Sequence, residues 1–168
     1  MKFNVASLLK EHTGATREFD LDEELLLDGG RRRLSGHVRF DRTRDGVLVR
    51  AHLSGEAAGE CSRCLRPLTF RVPVDLEEEY IPTVDIDSGA RVRAPEGEED
   101  AYRIDARHML DLAPAVREYW GMAVPMAPRC AEDCGGLCPQ CGAERGAGHV
   151  CAGDDGDPRW AALRGVRL

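Results

Sequence analysis

The chain has 168 residues, 42% apolar and 32% charged, with 30 acidic against 23 basic side chains and a net charge near -7. That is enough apolar material for a core of ordinary domain size and too much for a disordered chain. The acidic balance excludes a uniformly basic nucleic-acid coat. No run approaches the ~18 apolar residues of a membrane span, and Met1–Val5 opens no signal-peptide core, so a cytoplasmic protein without a membrane partner is expected.

In chain order, period-2 alternation marks half-buried strands at 34–40, 47–53 and 68–76. Arg44-Asp45-Gly46 is a hairpin signal between the first two. Residues 16–80 therefore read as an antiparallel meander, and Pro73 points to an edge position or a bulge. Residues 83–100 are acidic and turn-rich, and read as an exposed loop. Asp105 or Asp111 can cap a helix running to about Met122, with Leu112, Val116, Tyr119 and Trp120 on its apolar stripe and Pro114 near its start. Asp157-Pro158 then announces a last helix reaching about Val166. The expected fold class is α+β: an antiparallel, barrel-like sheet with a few helices over 1–126, and a small Cys-rich zinc-binding element with a C-terminal helix over 127–168.

Seven cysteines in a chain without an export signal argue for metal ligands or redox pairs rather than disulfides. One group is Cys61-Ser-Arg-Cys64; the other is Cys130, Cys134, Cys138 and Cys141, with Cys151 ten residues on. Cys138-Pro-Gln-Cys141-Gly142 has the form of a zinc knuckle: two thiolates on one tight turn, and a glycine that lets the backbone reverse. Cys61-x2-Cys64 lacks that glycine. The ligands divide in several ways: a local tetrad of Cys130, Cys134, Cys138 and Cys141, with Cys151 or His149 competing; Cys61 and Cys64 joined to one C-terminal pair; or two sites of four from the seven Cys and His149. One or two Zn2+ ions are expected, and an all-sulfur site is closed and hence structural. A zinc-handling or thiol-redox protein is the competing reading.

The charge is unevenly spread. Residues 29–72 hold ten Arg against four acids, and residues 75–101 ten acids against two Arg. Arg31, Arg32 and Arg33, with Arg63 and Arg66, could form a phosphate-binding patch. The chain has no phosphate-loop, zinc-protease or nucleophile-elbow motif, so neither an enzyme nor a small-molecule substrate is expected.

Several segments resemble the YceD family: Asn4-Val5-Ala6-Ser7-Leu8-Leu9, Gly14-Ala15-Thr16-Arg17-Glu18, Gly59-Glu60-Cys61-Ser62-Arg63-Cys64-Leu65-Arg66-Pro67, the run from Cys130 to Gly142, and Asp157-Pro158-Arg159 with Leu163. The resemblance implies a non-enzymatic factor supporting 23S rRNA accumulation and large-subunit assembly, with rRNA, a pre-50S particle or a ribosomal protein as partner. It also implies that the metal of the tail is an accessory or stabilising feature.

Overall fold

The computed structural model describes residues 1–93, 101–146, 148–151 and 159. The expected helix at 157–166 and the acidic end of the 83–100 loop lie outside the described residues apart from Arg159. The described residues are mostly strands with two helices, the first of them α1 (Ala6–Leu9), and the chain divides into two units. The first comprises Met1–Ala58 and Thr69–Pro125, the second Gly59–Leu68 and Met126–Leu168. The 59–68 segment thus groups with the C-terminal cysteines although it lies within the residues expected to form the sheet.

The first unit is built on long strands: β2 (Thr16–Leu27), β3 (Gly30–Arg42), β4 (Val47–Glu60) and β5 (Pro67–Pro82). With β6 (Arg103–Ile104) they form a curled half-barrel sheet in the order β2-β3-β4-β5-β6. Strand β1 (Lys2–Asn4) instead pairs with β7 (Met109–Asp111). The β2–β3 hairpin turns on Asp28 and Gly29, both at positive φ (49° and 73°). This is the arrangement that Asp-Gly favours, because its twist matches that of the strands. Trp120 Nε1 donates to Asp28 Oδ2 at 2.5 Å, which ties the turn to the second helix.

Pro73 is accommodated because β6 pairs with β5 only at Ile81 and Pro82, so among the described residues the ladder on that side does not reach Pro73. The sequence places the start of a helix at Asp105 or Asp111. Helix α2 in fact spans Ala113–Ala123, and Asp111 Oδ1 accepts from the Ala113 N–H at 3.1 Å. Asp105 closes a turn instead, accepting from Arg107 and Met109. Residues 83–93 are more ordered than a plain loop: Val84 bridges Arg91, and Asp85 caps Ser88.

Alternation sends one face of each strand inward. Val38, Val49, Ala51, Val72, Val74, Leu110, Leu112 and Val116 are all fully buried, and Trp120 from α2 is 1% exposed. Each of these valines and leucines contributes about 1.5–3 kcal/mol on leaving water. Phe3, Phe19 and Phe40 meet with ring centroids 5.0–5.4 Å apart. Among the described residues, no helix is long and apolar enough to cross a membrane.

The outward face carries the charge. Antiparallel register sets His37 opposite His52 and Arg39 opposite Arg50 in the middle of the sheet. Acids from β3 itself and from the flanking strands close on them: Asp20 on His37 (3.3 Å), Asp41 on Arg39 (2.8 Å) and Arg50 (2.6 Å), Glu77 on Arg50 (2.9 Å) and Asp75 on His52 (2.8 Å). The basic surplus counted over 29–72 is therefore no free basic surface in this region. Besides Asp41 within the window, its counterions come from β2 and from the start of the acidic stretch, which lie beyond that window in sequence but beside it in the sheet.

Candidate metal centres

The second unit is held differently. Among its described residues, the buried ones are Cys61, Cys64, Cys138 and Gly136. Among these described residues, three sulfurs are buried and no large apolar side chain is.

The chain between β4 and β5 makes a tight knuckle. The Leu65 N–H donates to Cys61 O at 2.9 Å, and the Cys61 N–H to Arg66 O at 2.9 Å. The second knuckle repeats both bonds: Gly142 N–H to Cys138 O at 2.8 Å, and Cys138 N–H to Ala143 O at 2.7 Å. Both turns need a left-handed residue just after the second cysteine. Gly142 supplies it at φ 72°, and in the first knuckle Leu65 takes the same role at φ 60°. The glycine missing from the first motif is thus replaced by a strained leucine rather than by a different turn.

The knuckles bring the sulfurs into two sets of four donors. Cys61, Cys64, Cys130 and Cys134 form one, and Cys138, Cys141, His149 and Cys151 the other; within each, the ligand atoms all lie within 4.8 Å of one another. Cys61 Sγ is 3.8 Å from Cys134 Sγ, and Cys64 Sγ is 3.7 Å from Cys130 Sγ. A tetrahedral ion with bonds of about 2.3 Å to sulfur needs ligand–ligand edges of about 3.8 Å. Cys141 Sγ lies 3.7 Å from His149 Nε2 in the other set. Both groups could hold a metal ion. The structure does not assemble the local tetrad of Cys130, Cys134, Cys138 and Cys141; that run is shared between the two sets. All seven cysteines and His149 are placed, leaving no odd thiol.

Electrostatics fit a cation in each set. Backbone N–H groups of Cys130, Cys64 and Arg63 lower the Cys61 thiol to about 6. Those of Cys141 and Gln140, with the His149 ring, lower Cys138 to about 6. Their neighbours move the other way: the Cys134, Cys64 and Cys61 side chains push Cys130 up to about 12, and Cys138 and Cys141 push Cys151 up to about 11. The four sulfurs of the first set, and the three of the second, cannot all ionise this close together without a positive centre among them.

Around the first set, Arg63 Nη1 donates to Cys134 O at 2.8 Å, and the Ser62 N–H donates to Pro128 O at 2.8 Å. Arg66 pairs with Glu144 at 2.6 Å. Arg63 and Arg66 are therefore engaged in bracing the centre. Arg31, Arg32 and Arg33 lie in the first unit and line a groove there with Ser35, Ser54, Thr69 and Arg71. Sequence reasoning missed the last four, although strand alternation puts them on the same outward face as Arg31 and Arg33.

Residues 49–167 match the family described as "Large ribosomal RNA subunit accumulation protein YceD". An uncharacterized protein of Mycobacterium tuberculosis (strain ATCC 25618 / H37Rv) is 33% identical over 126 residues, covering 75% of this chain and 58% of the relative. One from Mycobacterium leprae (strain TN) is 32% identical over 130 residues, covering 75% of this chain and 55% of the relative. The chain thus spans a little over half the length of these relatives. No solved structure matches it. With its paired cysteine knuckles and the match running through both of them, the chain belongs to the YceD family of large ribosomal RNA subunit accumulation proteins.

Proposed function

We propose that this protein is a non-enzymatic factor in large-subunit assembly that acts in the cytoplasm, supports 23S rRNA accumulation and binds rRNA on a pre-50S particle. The match to the accumulation family carries the reading. In it, the two four-donor sets each hold a zinc ion. The ions are structural: four protein ligands leave no open position for a substrate or an activated water. They stand in for an apolar core, which the described residues of the second unit do not supply, at a binding free energy on the order of 10 kcal/mol for such sites. Thiol redox chemistry is disfavoured because each cysteine pair has two further donors closing on it.

Of the arginines that suggest RNA contact, Arg31, Arg32 and Arg33 stay candidates, while Arg63 and Arg66 are assigned to the metal centre they brace. Depleting the protein in its host and quantifying 23S against 16S rRNA tests the function. Selective loss of 23S is expected, and an unchanged ratio contradicts the reading.

A further inference from the structure

The two ends of the outward sheet face differ. Around Arg39 and Arg50 every guanidinium meets a carboxylate within 2.9 Å. At the other end, where β3 begins, a groove of about 620 Å3 gathers Arg31, Arg32, Arg33 and Arg71 with Ser54 and Thr69. Glu56 is the one acid among the groove's lining residues, while Asp22 and Glu24 of β2 pair with Arg33 and Arg31. Asp22 grips Arg33 through two bonds, to Nε at 2.6 Å and Nη2 at 2.5 Å. That pairing holds the Asp22 carboxyl below its ordinary value and fixes Arg33 as scaffold.

The others keep spare donors. Arg71 gives one N–H to Ser54 Oγ at 2.6 Å, and the nearest carboxylate to Arg31 is Glu24 at 3.6 Å. Arg32 Nε is enclosed and has no acceptor. Its strand position is an inward one, between the outward Arg31 and Arg33, so a charged side chain sits where alternation would place an apolar one. Arg32 and Arg71 converge beside two paired arginines with no carboxylate of their own, and such like charges are costly unless an external anion joins them.

We propose that this groove binds the backbone phosphates of RNA, with Arg31, Arg32 and Arg71 as the contacting groups and Arg33 positioning them. The inference deepens the rRNA reading above and rests on it for its choice of polymer. Guanidinium forks match phosphate oxygens in pairs, and the Ser54 and Thr69 hydroxyls add neutral donors. No aromatic side chain lines the groove, so it offers no platform for stacked bases, and binding is tolerant of sequence.

The test uses the full zinc-loaded chain with two probes, a mixed-sequence single-stranded oligoribonucleotide and inorganic pyrophosphate. At 0.1 M salt, Arg31→Ala with Arg71→Ala should weaken oligonucleotide binding about 25-fold, about fivefold per lost contact, and flatten the salt slope by about 0.7 for each. Glu56→Gln should tighten it. Arg44→Ala, at a hairpin tip where the side chain is 89% exposed, removes the same charge outside the groove and should change little. Arg31 is itself 81% exposed, so the single Arg31→Ala variant keeps the test valid should the double variant fold poorly.

RNA binding that is as sensitive to Arg44→Ala as to the groove variants overturns the groove while leaving the rRNA function standing. Pyrophosphate binding without oligonucleotide binding overturns the choice of RNA and makes the ligand a free phosphate. Binding of neither probe overturns the site altogether.

Discussion

The two units solve the same problem with different materials. The sheet unit orders its strands around aliphatic and aromatic side chains, with Trp120 and Phe40 each 1% exposed. The cysteine unit buries three sulfurs and a glycine among its described residues. Apolar burial grows with chain length, and a segment of this size rich in Gly, Pro and Asp has too little of it to offset its conformational entropy. The difference teaches that the first unit is stable by composition, while the described part of the second offers two donor sets that could hold metal where an apolar core would otherwise be.

Zinc removal should break the comparison most sharply. A strong chelator should abolish amide-exchange protection at the knuckle bonds of Leu65 and Gly142 while β3 and β4 stay protected, a loss on the order of 10 kcal/mol for the second unit. Protection that survives chelation would mean that something other than metal orders the knuckles. The reciprocal change is Trp120→Ala. It should cost the sheet unit about 3–5 kcal/mol by leaving a cavity and freeing Asp28. Denaturant unfolding followed by β-sheet circular dichroism reads that loss, and metal content should not change.

Within the second unit the two knuckles can be set against each other. Gly142→Ala meets no atom within 4 Å, so its cost is conformational alone, about 1–2 kcal/mol from holding a side chain at positive φ. Competition with a chelator should show weaker metal retention at the Cys138 site only. Leu65→Gly should do the opposite by up to about 1 kcal/mol, relieving strain at a residue that is 58% exposed and has little packing to lose. Equal responses from both substitutions would mean that the knuckles are not equivalent turns.

The smallest effect concerns pH and the first unit. Burial holds the Tyr80 phenol above its ordinary value of 10.0. Burial and a hydrogen bond to Glu118 do the same for Tyr102, and a hydrogen bond to Glu78 for Tyr119. A raised phenol contributes stability that is complete below the unfolded-state value and is lost as pH climbs toward the folded one. Melting temperature should therefore fall above about pH 10, and ultraviolet titration should find these three phenols ionising late.

Much of this was legible in the sequence. Alternation located β3, β4 and β5, and the i, i+4 stripe of α2 was visible in Leu112, Val116 and Trp120. The knuckle form of Cys138–Gly142 was visible too, because it depends on neighbours in the chain. The β2–β3 hairpin carried a readable Asp28-Gly29 signal, yet β2 itself alternates poorly, with Leu25-Leu26-Leu27 in a row and both faces partly exposed. What stayed hidden depends on register across the sheet or on tertiary approach. Counting arginines over a window cannot see that Asp22 and Glu77 neutralise Arg33 and Arg50 from other strands. Spacing alone likewise could not divide eight donors into two sets, since Cys134 and Cys138 are near in sequence but belong to different centres. Nor does a missing glycine reveal that Leu65 will bear its strain.

Native mass spectrometry of the purified protein, with zinc left in place, tests the central claim most directly. The expected result is a mass higher by two zinc ions per chain, each lost as a separate step when Cys130→Ser or Cys141→Ser removes one donor. A metal-free chain that keeps its knuckle bonds, or one ion that both substitutions release together, would contradict it.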